Sequence, residues 1–306
     1  MILVTAVPPP LCVARSPAHE VQAFARTSPR HPRRGSELRA FLRASAFSGV
    51  AKLIGMAKSV DRAVGVDIGG TGIKAGIVDL KRGELVSERI RVNTPEGATP
   101  DDVLAAVNGV LEELGGVDKM VPLGVAFPAI VKRGRTRSAA NVSEKWIDFE
   151  AEEFFEDGLG RDIHFVNDAD AAGVAEVRYG AAQGREGLTV LTTLGTGIGS
   201  AFLYNGTLIP NTELGHLWYE GTSIERYAAY SAMERENLSW EDWSKRLQLF
   251  YDHVELLFSP DLFVVGGGVS KHPDRFLPLL KLRTPILPAL HRNSSGIIGA
   301  AALAGD

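Results

Sequence analysis

The chain has 306 residues, of which 45% are hydrophobic and 23% are charged, and its formal net charge is −4. These values are typical of a soluble enzyme of one or two domains, without the basic footprint of a nucleic-acid-binding protein or the roughly 18 consecutive apolar residues of a membrane span. The only cysteine, Cys12, excludes an intramolecular disulfide and a thiolate zinc site, and it indicates a reducing compartment such as the cytoplasm.

Residues 1–58 are basic and are predicted to be a disordered extension outside the fold. They hold seven arginines and two lysines against two glutamates, a net charge of +7, so the remainder carries −11. One interpretation is an upstream start, with Met56 as the natural one. Another is a transit peptide, which is rich in arginine and poor in acid, and which would send the protein to a plastid or another organelle. A tail without a role is the third.

Residues 59–166 are predicted to form an N-terminal α/β domain. Glycine turns separate apolar runs in the pattern of an antiparallel meander, and a helix with one apolar face follows. The predicted elements are strands over 63–68, 73–80 and 85–92, a helix over 101–114, a strand over 121–127, a helix over 148–159 and a strand over 163–166. The 129–147 stretch is predicted as loop and short strand.

Asn167 and Asp168 stand where the 163–166 strand meets an alanine-rich helix. Open α/β sheets bind ligands at the carboxyl ends of their strands, and a carboxylate at that position can accept a proton from a bound hydroxyl. Both residue types also favour helix N-caps. Either role is compatible with the junction taken alone.

Residues 167–306 are predicted to form a C-terminal α/β domain that begins like the first. The predicted elements are helices over 169–182 and 240–258, strands over 187–193, 200–204 and 262–265, and a small-residue helix from 296. The letters Thr-Gly-Ile lie in the middle of both the 67–73 and the 194–199 stretches, which indicates an internal duplication with a cleft between two similar halves. The apolar stripe of the 240–258 helix is interpreted as core or as a homodimer seam.

Three glycine-rich stretches, at 69–72, 195–199 and 266–268, would expose backbone N–H groups to a phosphate. A plain hairpin turn explains any one of them, but three together favour a phosphate site. Lys74 and Asp67 flank the first. The Walker pattern is absent, and both early turns lead into strands instead of helices, so NAD binding is disfavoured.

Glu213 and His216, three residues apart, could hydrogen-bond neighbouring sugar hydroxyls. Glu225 could supply a further acceptor, although a charge on a helix face is a nearly equal alternative. Asn141 could be a turn residue or a hydroxyl ligand.

These motifs together resemble the ROK sugar kinases (repressor, open reading frame, kinase) over about residues 62–304. The resemblance rests on Asp67-Ile-Gly-Gly-Thr71, Asn167-Asp168-Ala-Asp170, Leu194-Gly-Thr-Gly-Ile-Gly199 and Glu213-Leu-Gly-His216. The stretches 140–142, 208–216 and 260–268 resemble its polyphosphate glucokinase branch. The family implies an α/β, actin/hexokinase-like (ribonuclease H-like) fold of two domains around a sugar cleft. Many members bind zinc through cysteines after the Glu-x-x-His motif; this chain has none there, so zinc is not expected.

The resemblance implies a glucokinase that phosphorylates the 6-hydroxyl of glucose with inorganic polyphosphate, ATP or both, and Asp168 would be its general base. The residues implied to hold glucose are Asn141, Asn167, Asp168, Glu213, His216 and Glu225. Those implied to hold the phosphoryl donor are Asp67, Gly69, Gly70, Thr71, Gly72, Lys74, Gly195, Thr196, Gly197, Gly266, Gly267 and Gly268. Mg²⁺ is the expected cofactor, with Asp67 near it and its ligands unassigned.

Two other functions stay open. One is an ATP-dependent ROK kinase for another hexose or an N-acetylhexosamine. The other is a non-catalytic sugar-binding regulator, against which the retention of Asp168 and both glycine turns argues. For the donor, the basic run Lys132, Arg133, Arg135 and Arg137 could be a track for polyphosphate or only a solvated face.

Overall fold

The computed structural model describes residues 60–139 and 142–306. The predicted extension over residues 1–58 and the predicted glucose ligand Asn141 lie outside the described residues. Within them, no helix combines the length and the apolar character that crossing a bilayer requires.

Two sheets organise the described residues. The elements of the first part are, in chain order, β1 (Arg62–Ile68), β2 (Ile73–Asp79), β3 (Glu84–Leu85), β4 (Ile90–Val92), α1 (Pro100–Glu113), β5 (Leu123–Phe127), β6 (Val131–Lys132), β7 (Arg135–Thr136), α2 (Ala151–Leu159), β8 (His164–Asn167) and α3 (Asp168–Tyr179). Those of the second part are β9 (Leu188–Leu194), β10 (Ile198–Tyr204), β11 (Thr207–Ile209), β12 (Trp218–Tyr219), β13 (Thr222–Ser223), α4 (Glu225–Ala228), α5 (Tyr230–Glu236), α6 (Trp240–Phe258), β14 (Leu262–Gly266), β15 (Ile286–Pro288) and α7 (Ser295–Ala304).

The two sheets have the same strand order, as the internal duplication predicts. The first runs β3-β2-β1-β5-β8, with β4 also on β2, and the second runs β11-β10-β9-β14-β15. In each sheet, a glycine turn joins two antiparallel strands, β1 and β2 in the first sheet and β9 and β10 in the second. The first strand of each pair also pairs in parallel with a later strand, β1 with β5 and β9 with β14. The carboxyl ends of these parallel strands therefore lie at equivalent edges. The predicted division into domains at residue 166 stays a prediction, since the chain after residue 58 forms one compact unit.

Two element boundaries differ from the prediction, each for a local reason. The predicted strand over 85–92 is split into β3 and β4, because the Ser87 hydroxyl replaces a ladder partner and accepts the Ile77 N–H at 2.9 Å. The second predicted helix starts at Ala151 instead of 148, because Asp148 takes a left-handed backbone with φ of 56°. The remaining long elements agree within a few residues with the predicted ranges.

The C-terminal helix α7 packs tightly against α3 and against β1 and β5. A Cβ at Gly124 would lie 1.9 Å from the Ala300 carbonyl oxygen, and one at Gly299 would lie 1.7 Å from that of Ala171. Only glycine permits such approaches. This packing brings the end of the chain back to the first sheet and fixes α3 next to it.

The apolar stripe of α6 belongs mainly to the core. Trp243, Leu247, Phe250 and Val254 are fully buried, and they pack on the second sheet. Leu257 at the end of the same stripe is 57% exposed. Core packing therefore accounts for most of the stripe.

Candidate active site

A cavity of about 770 Å³ opens where the edges of the two sheets meet. Almost all of the predicted site residues that the structure describes line it. They are Asp67, Gly69, Gly70, Lys74, Asn167, Asp168, Gly195, Thr196, Gly197, Glu213, His216, Glu225, Gly266, Gly267 and Gly268. Thr71 and Gly72 do not line it; the Gly72 carbonyl instead closes the first glycine turn by accepting the Gly69 N–H at 3.0 Å.

At the strand–helix junction, Asn167 is the N-cap of the helix and Asp168 lines the cavity. Asn167 caps α3, since its Oδ1 accepts the Asp170 N–H at 3.0 Å, while its Nδ2 donates to the Ala129 carbonyl at 3.0 Å. Asp168, the first residue of α3, lies at the cavity wall. The cap therefore fixes the backbone from which the Asp168 carboxylate projects.

The surroundings of Asp168 raise the pKa of its carboxyl toward neutral pH. Burial and the nearby negative charge of Asp67 raise the pKa of Asp168 to about 7. The Ala169 N–H, which donates to Oδ1 at 2.8 Å, has the opposite effect and lowers this pKa. Glu213 and Asp170 add smaller repulsions. A carboxylate with a pKa close to the working pH is suited to accept a proton from a substrate hydroxyl.

Two glutamates flank the exposed imidazole of His216. Its Nε2 lies 3.9 Å from Glu213 Oε2, and its Nδ1 lies 3.7 Å from Glu225 Oε1. Burial raises the pKa of Glu213, and the interaction with His216 partly offsets this by lowering it. Glu225 Oε2 also accepts the Ile198 N–H at 3.2 Å, so this residue ties the second glycine turn to the imidazole. The three side chains present acceptors and a ring N–H to one part of the cavity.

The loop that carries Glu213 and His216 is anchored by buried polar groups. Ser200 Oγ donates to the Thr212 carbonyl at 2.7 Å and accepts the Leu214 N–H at 3.0 Å. Asp170 Oδ2 accepts the Asn211 N–H at 2.8 Å, while Asp170 Oδ1 is buried with no hydrogen-bond partner in the described structure. Burial raises the pKa of Asp170 to about 7.

The glycine turns contribute backbone to the cavity wall. The Gly195 N–H donates to the Gly197 carbonyl at 3.0 Å, and Ser231 fixes this turn from α5 by donating its N–H to Gly195 O and its hydroxyl to Thr196 O at 3.0 and 2.6 Å. Gly267 has φ of 81°, and a Cβ there would lie 2.5 Å from the Leu194 carbonyl oxygen. Glycine is thus required where the second and third turns meet.

Sequence analysis does not identify several of the residues that line the cavity. They are Ser138, Arg226, Ser231, Arg235, Arg292 and Asn293. The arginines carry no motif of their own, since an isolated arginine on a short helix or in a loop reads as a solvated charge. Only their position around the glycine turns, which the fold creates, marks them as part of the site.

The basic run that sequence analysis offers as a polyphosphate track does not line the cavity. Arg135 pairs with Glu150, and Arg137 Nη1 lies 2.6 Å from Asp148 Oδ1. Lys132 and Arg133 are exposed on the β6–β7 hairpin. Half of the run is therefore already neutralised by carboxylates, which favours the interpretation as a solvated face.

No cluster of three or more His, Cys, Asp or Glu side chains in the described part of the chain could hold a metal ion. Asp67, the carboxylate next to the first glycine turn, is bound by Lys74 Nζ at 2.8 Å. Mg²⁺ usually keeps several waters and takes only one or two protein carboxylates together with substrate phosphates, so a single carboxylate beside a phosphate cradle fits it.

Comparison with known proteins identifies relatives of the chain. Residues 63–235 match the ROK family. The chain is 47% identical over 238 residues to the polyphosphate glucokinase of Mycobacterium tuberculosis, covering 78% of this chain and 89% of that one.

Two solved structures are similar along most of the chain. The inorganic polyphosphate/ATP-glucomannokinase of Arthrobacter sp. strain KM is 52% identical with a TM-score of 0.76, covering 78% of this chain and 96% of that one. A ROK glucokinase of Streptomyces griseus, in complex with glucose and AMPPNP, is 25% identical with a TM-score of 0.66, covering 79% and 99%. The chain therefore belongs to the ROK family and has the actin/hexokinase-like fold of its sugar kinases.

Proposed function

We propose that the chain is a glucokinase that transfers a phosphoryl group from inorganic polyphosphate or ATP to the 6-hydroxyl of glucose. One observation carries the proposal: the Asp168 carboxylate, with a pKa of about 7, shares one cavity with three glycine turns and with the Glu213, His216 and Glu225 cluster. A proton acceptor in the same cavity as hydroxyl ligands and a phosphate cradle is the arrangement that phosphoryl transfer to a sugar requires. The names of the similar proteins support the same substrates.

In the proposed reaction, glucose lies against Asn167, Glu213, His216 and Glu225, with its 6-hydroxyl at Asp168. As the hydroxyl oxygen forms its bond to the terminal phosphorus of the donor, Asp168 accepts the proton, and the bond from that phosphorus to its bridging oxygen breaks. The products are glucose 6-phosphate and either ADP or polyphosphate shortened by one unit. Positioning and charge neutralisation supply most of the acceleration in such transfers.

The donor phosphates are assigned to the backbone N–H groups of the glycine turns, with Lys74 at the first turn. Asp67 would hold Mg²⁺ beside them, which neutralises phosphate charge when it is bound. Lys74 orients the Asp67 carboxylate through their 2.8 Å ion pair. Gly70 and Gly268 are exposed, and a Cβ at Gly195 or Gly268 would meet nothing within 4 Å, so these turns are open to a phosphate chain.

Mannose is a second candidate acceptor. The observation that favours it is the name of the Arthrobacter relative, a glucomannokinase that is 52% identical to this chain. Mannose differs from glucose only in the orientation of one hydroxyl, so discrimination rests on the few side chains that contact that hydroxyl.

The test is a direct assay of sugar 6-phosphate formation by the purified chain, with ATP and with long-chain polyphosphate as donors. Glucose and mannose are compared as acceptors, and Asp168→Asn is the control for contaminating kinases. The proposal expects activity with glucose and at least one donor that the variant lacks. A chain that binds glucose but phosphorylates nothing would instead support a sugar-binding regulator.

The proposal also places the enzyme in the cytoplasm as a homodimer. Apolar side chains at the end of α6 and at the edge of the second sheet support the dimer, since Tyr204, Ile209, Leu256, Leu257 and Phe258 are 40–77% exposed. Exposed apolar patches of this kind mark interaction sites. Light scattering on the purified protein would measure twice the chain mass of 32.9 kDa.

A further inference from the structure

Glu176 is a buried carboxylate that the proposed chemistry does not use. It lies on α3, two turns beyond Asp168, and only 1% of it is exposed. Charged side chains are rarely buried to this extent unless their hydrogen bonds are fully supplied. Its partners therefore indicate what the buried charge is for.

Those partners lie mainly in the loop that leads into α7. Glu176 Oε1 accepts the His291 N–H at 2.9 Å and the Ser295 hydroxyl at 3.3 Å, and Oε2 accepts the Leu290 N–H at 2.9 Å. Oε2 also accepts the Ala181 N–H at 2.9 Å, just past the end of α3. A carboxylate that accepts several N–H bonds out of water is a strong and directional tether.

The tethered loop, residues 290–295, is also part of the cavity wall. Arg292, Asn293 and Ser295 line the cavity beside Gly266–Gly268. Arg292 takes a left-handed backbone with φ of 50°, a conformation that a non-glycine residue holds only when its surroundings enforce it. The Glu176 hydrogen bonds to the two residues just before Arg292 supply that enforcement.

We propose that Glu176 is a positioning residue for the phosphoryl donor: through the 290–295 loop it holds Arg292 and Asn293 against the phosphate cradle. This inference rests on the proposed function, since it takes the glycine-turn side of the cavity as the donor side. One helix then serves both substrates, with Asp168 at its first residue facing the acceptor and Glu176 near its end ordering the donor wall.

The test is Glu176→Gln, which keeps the shape but replaces one acceptor oxygen by an NH₂ that faces N–H donors. The dissociation constants of tripolyphosphate and of ATP are measured by calorimetry, beside that of glucose. We expect the donors to bind about tenfold more weakly in the variant, with glucose affinity unchanged. The direction of the change in donor affinity distinguishes an effect of charge from an effect of positioning. Loss of a negative charge alone would strengthen the binding of an anionic donor, whereas loss of positioning weakens it.

Glu255→Gln is the matched control. Glu255 is also buried and carries the same kind of tether, accepting the Thr284 N–H at 2.6 Å and Arg283 Nε at 3.2 Å, but none of these residues lines the cavity. It should lose thermal stability without a change in donor affinity. Equal donor affinities in wild type and Glu176→Gln, or an equal weakening in both variants, would overturn the proposal.

Two further measurements keep the outcome decisive. If Glu176→Gln does not fold, Glu176→Asp keeps the charge but reaches fewer of the four donors, and the expected result is an intermediate weakening of donor binding. Wild-type turnover of glucose is measured separately with each donor. Absence of turnover would contradict the proposed kinase function, while the donor affinities would still decide the role of Glu176.

Discussion

The side chain of Asn211 is hydrogen-bonded to both main-chain groups of Val131. Its Oδ1 accepts the Val131 N–H at 2.7 Å, and its Nδ2 donates to the Val131 carbonyl at 2.8 Å. Asn211 precedes the loop of Glu213 and His216, whereas Val131 lies in the β6–β7 hairpin of the first part of the chain. One asparagine thus couples the loop proposed to face the sugar to a hairpin in the first half of the chain.

Asn211→Gly should raise the KM for glucose several-fold. Asn211 has φ of 61°, which glycine adopts without strain, so the variant removes the two hydrogen bonds alone. Each contributes about 1 kcal/mol net, and the expected loss of stability is about 1–3 kcal/mol. Steady-state kinetics and thermal unfolding measure the two effects.

Asn205→Gly is the matched control for this variant. Asn205 also has a left-handed backbone, φ of 48°, and its Oδ1 accepts the Gly187 N–H at 2.7 Å, but it does not line the cavity. It should lose some stability and keep the glucose KM of the wild type. A glucose KM that rises equally in both variants would contradict the coupling role of Asn211.

Asp168→Asn should lower kcat by a factor of about 10² or more, because the amide cannot accept the proton of the sugar hydroxyl. Glucose affinity should change little. In the wild type, the Asp168 pKa of about 7 predicts that kcat/KM falls as the pH drops below 7, where the base becomes protonated. The variant should retain no such dependence in its residual activity, and a wild-type-like turnover would remove Asp168 from the mechanism.

Sequence reasoning identifies those parts of the site that local pattern determines. Asn167 and Asp168 follow a buried strand, and the glycine turns follow from their own composition, so each can be predicted before the fold is known. Arg226 and Arg292 cannot, because they come from a short α-helix and a single 3-10 turn whose places depend on long-range packing. The Arg135 and Arg137 ion pairs are missed for a related reason: their partners, Glu150 and Asp148, become neighbours only when the hairpin folds back.

Asp170→Asn should stabilise the protein at pH 8. Burial raises the pKa of Asp170 to about 7 from its usual 3.8, so the folded state binds its proton more tightly than the unfolded state does. The contribution of the protonated form to stability is therefore complete below pH 3.8 and is lost as the pH rises through 7. The amide oxygen of asparagine can still accept the Asn211 N–H.

The expected gain for Asp170→Asn is up to about 4 kcal/mol above pH 7, and it should shrink toward zero near pH 4. Thermal unfolding at several pH values between these limits measures it. The control is Asp261→Asn, because Asp261 Oδ2 also accepts a backbone N–H, that of Leu188 at 2.7 Å, but its residue is exposed. A variant that is less stable than the wild type at pH 8 would show that Asp170 is needed as a charged group.

Two sets of arginines are candidates for binding a polyanion, and one of them lines the cavity. Arg226 and Arg292 line the cavity, and neither guanidinium forms an ion pair with a residue that the structure describes. Arg135 and Arg137 lie outside the cavity and are paired with carboxylates. Unpaired cations beside the glycine turns raise the local concentration of phosphate chains more than neutralised ones do.

Neutralising Arg226 and Arg292 together, as Arg226→Gln with Arg292→Gln, should raise the KM for long-chain polyphosphate several-fold and that for ATP less. Polyphosphate extends past the glycine turns and contacts more of the rim, whereas ATP carries few charges and ends near the turns. The double variant should also weaken the salt dependence of the polyphosphate KM, because fewer charge contacts are left to screen. Kinetics with both donors at two salt concentrations measure each effect.

The control is Arg135→Gln with Arg137→Gln, which removes the same charge from the hairpin and should leave both KM values near those of the wild type. If the hairpin variant raises the polyphosphate KM and the cavity variant does not, the track runs over β6 and β7 after all, and Arg226 and Arg292 only solvate the rim.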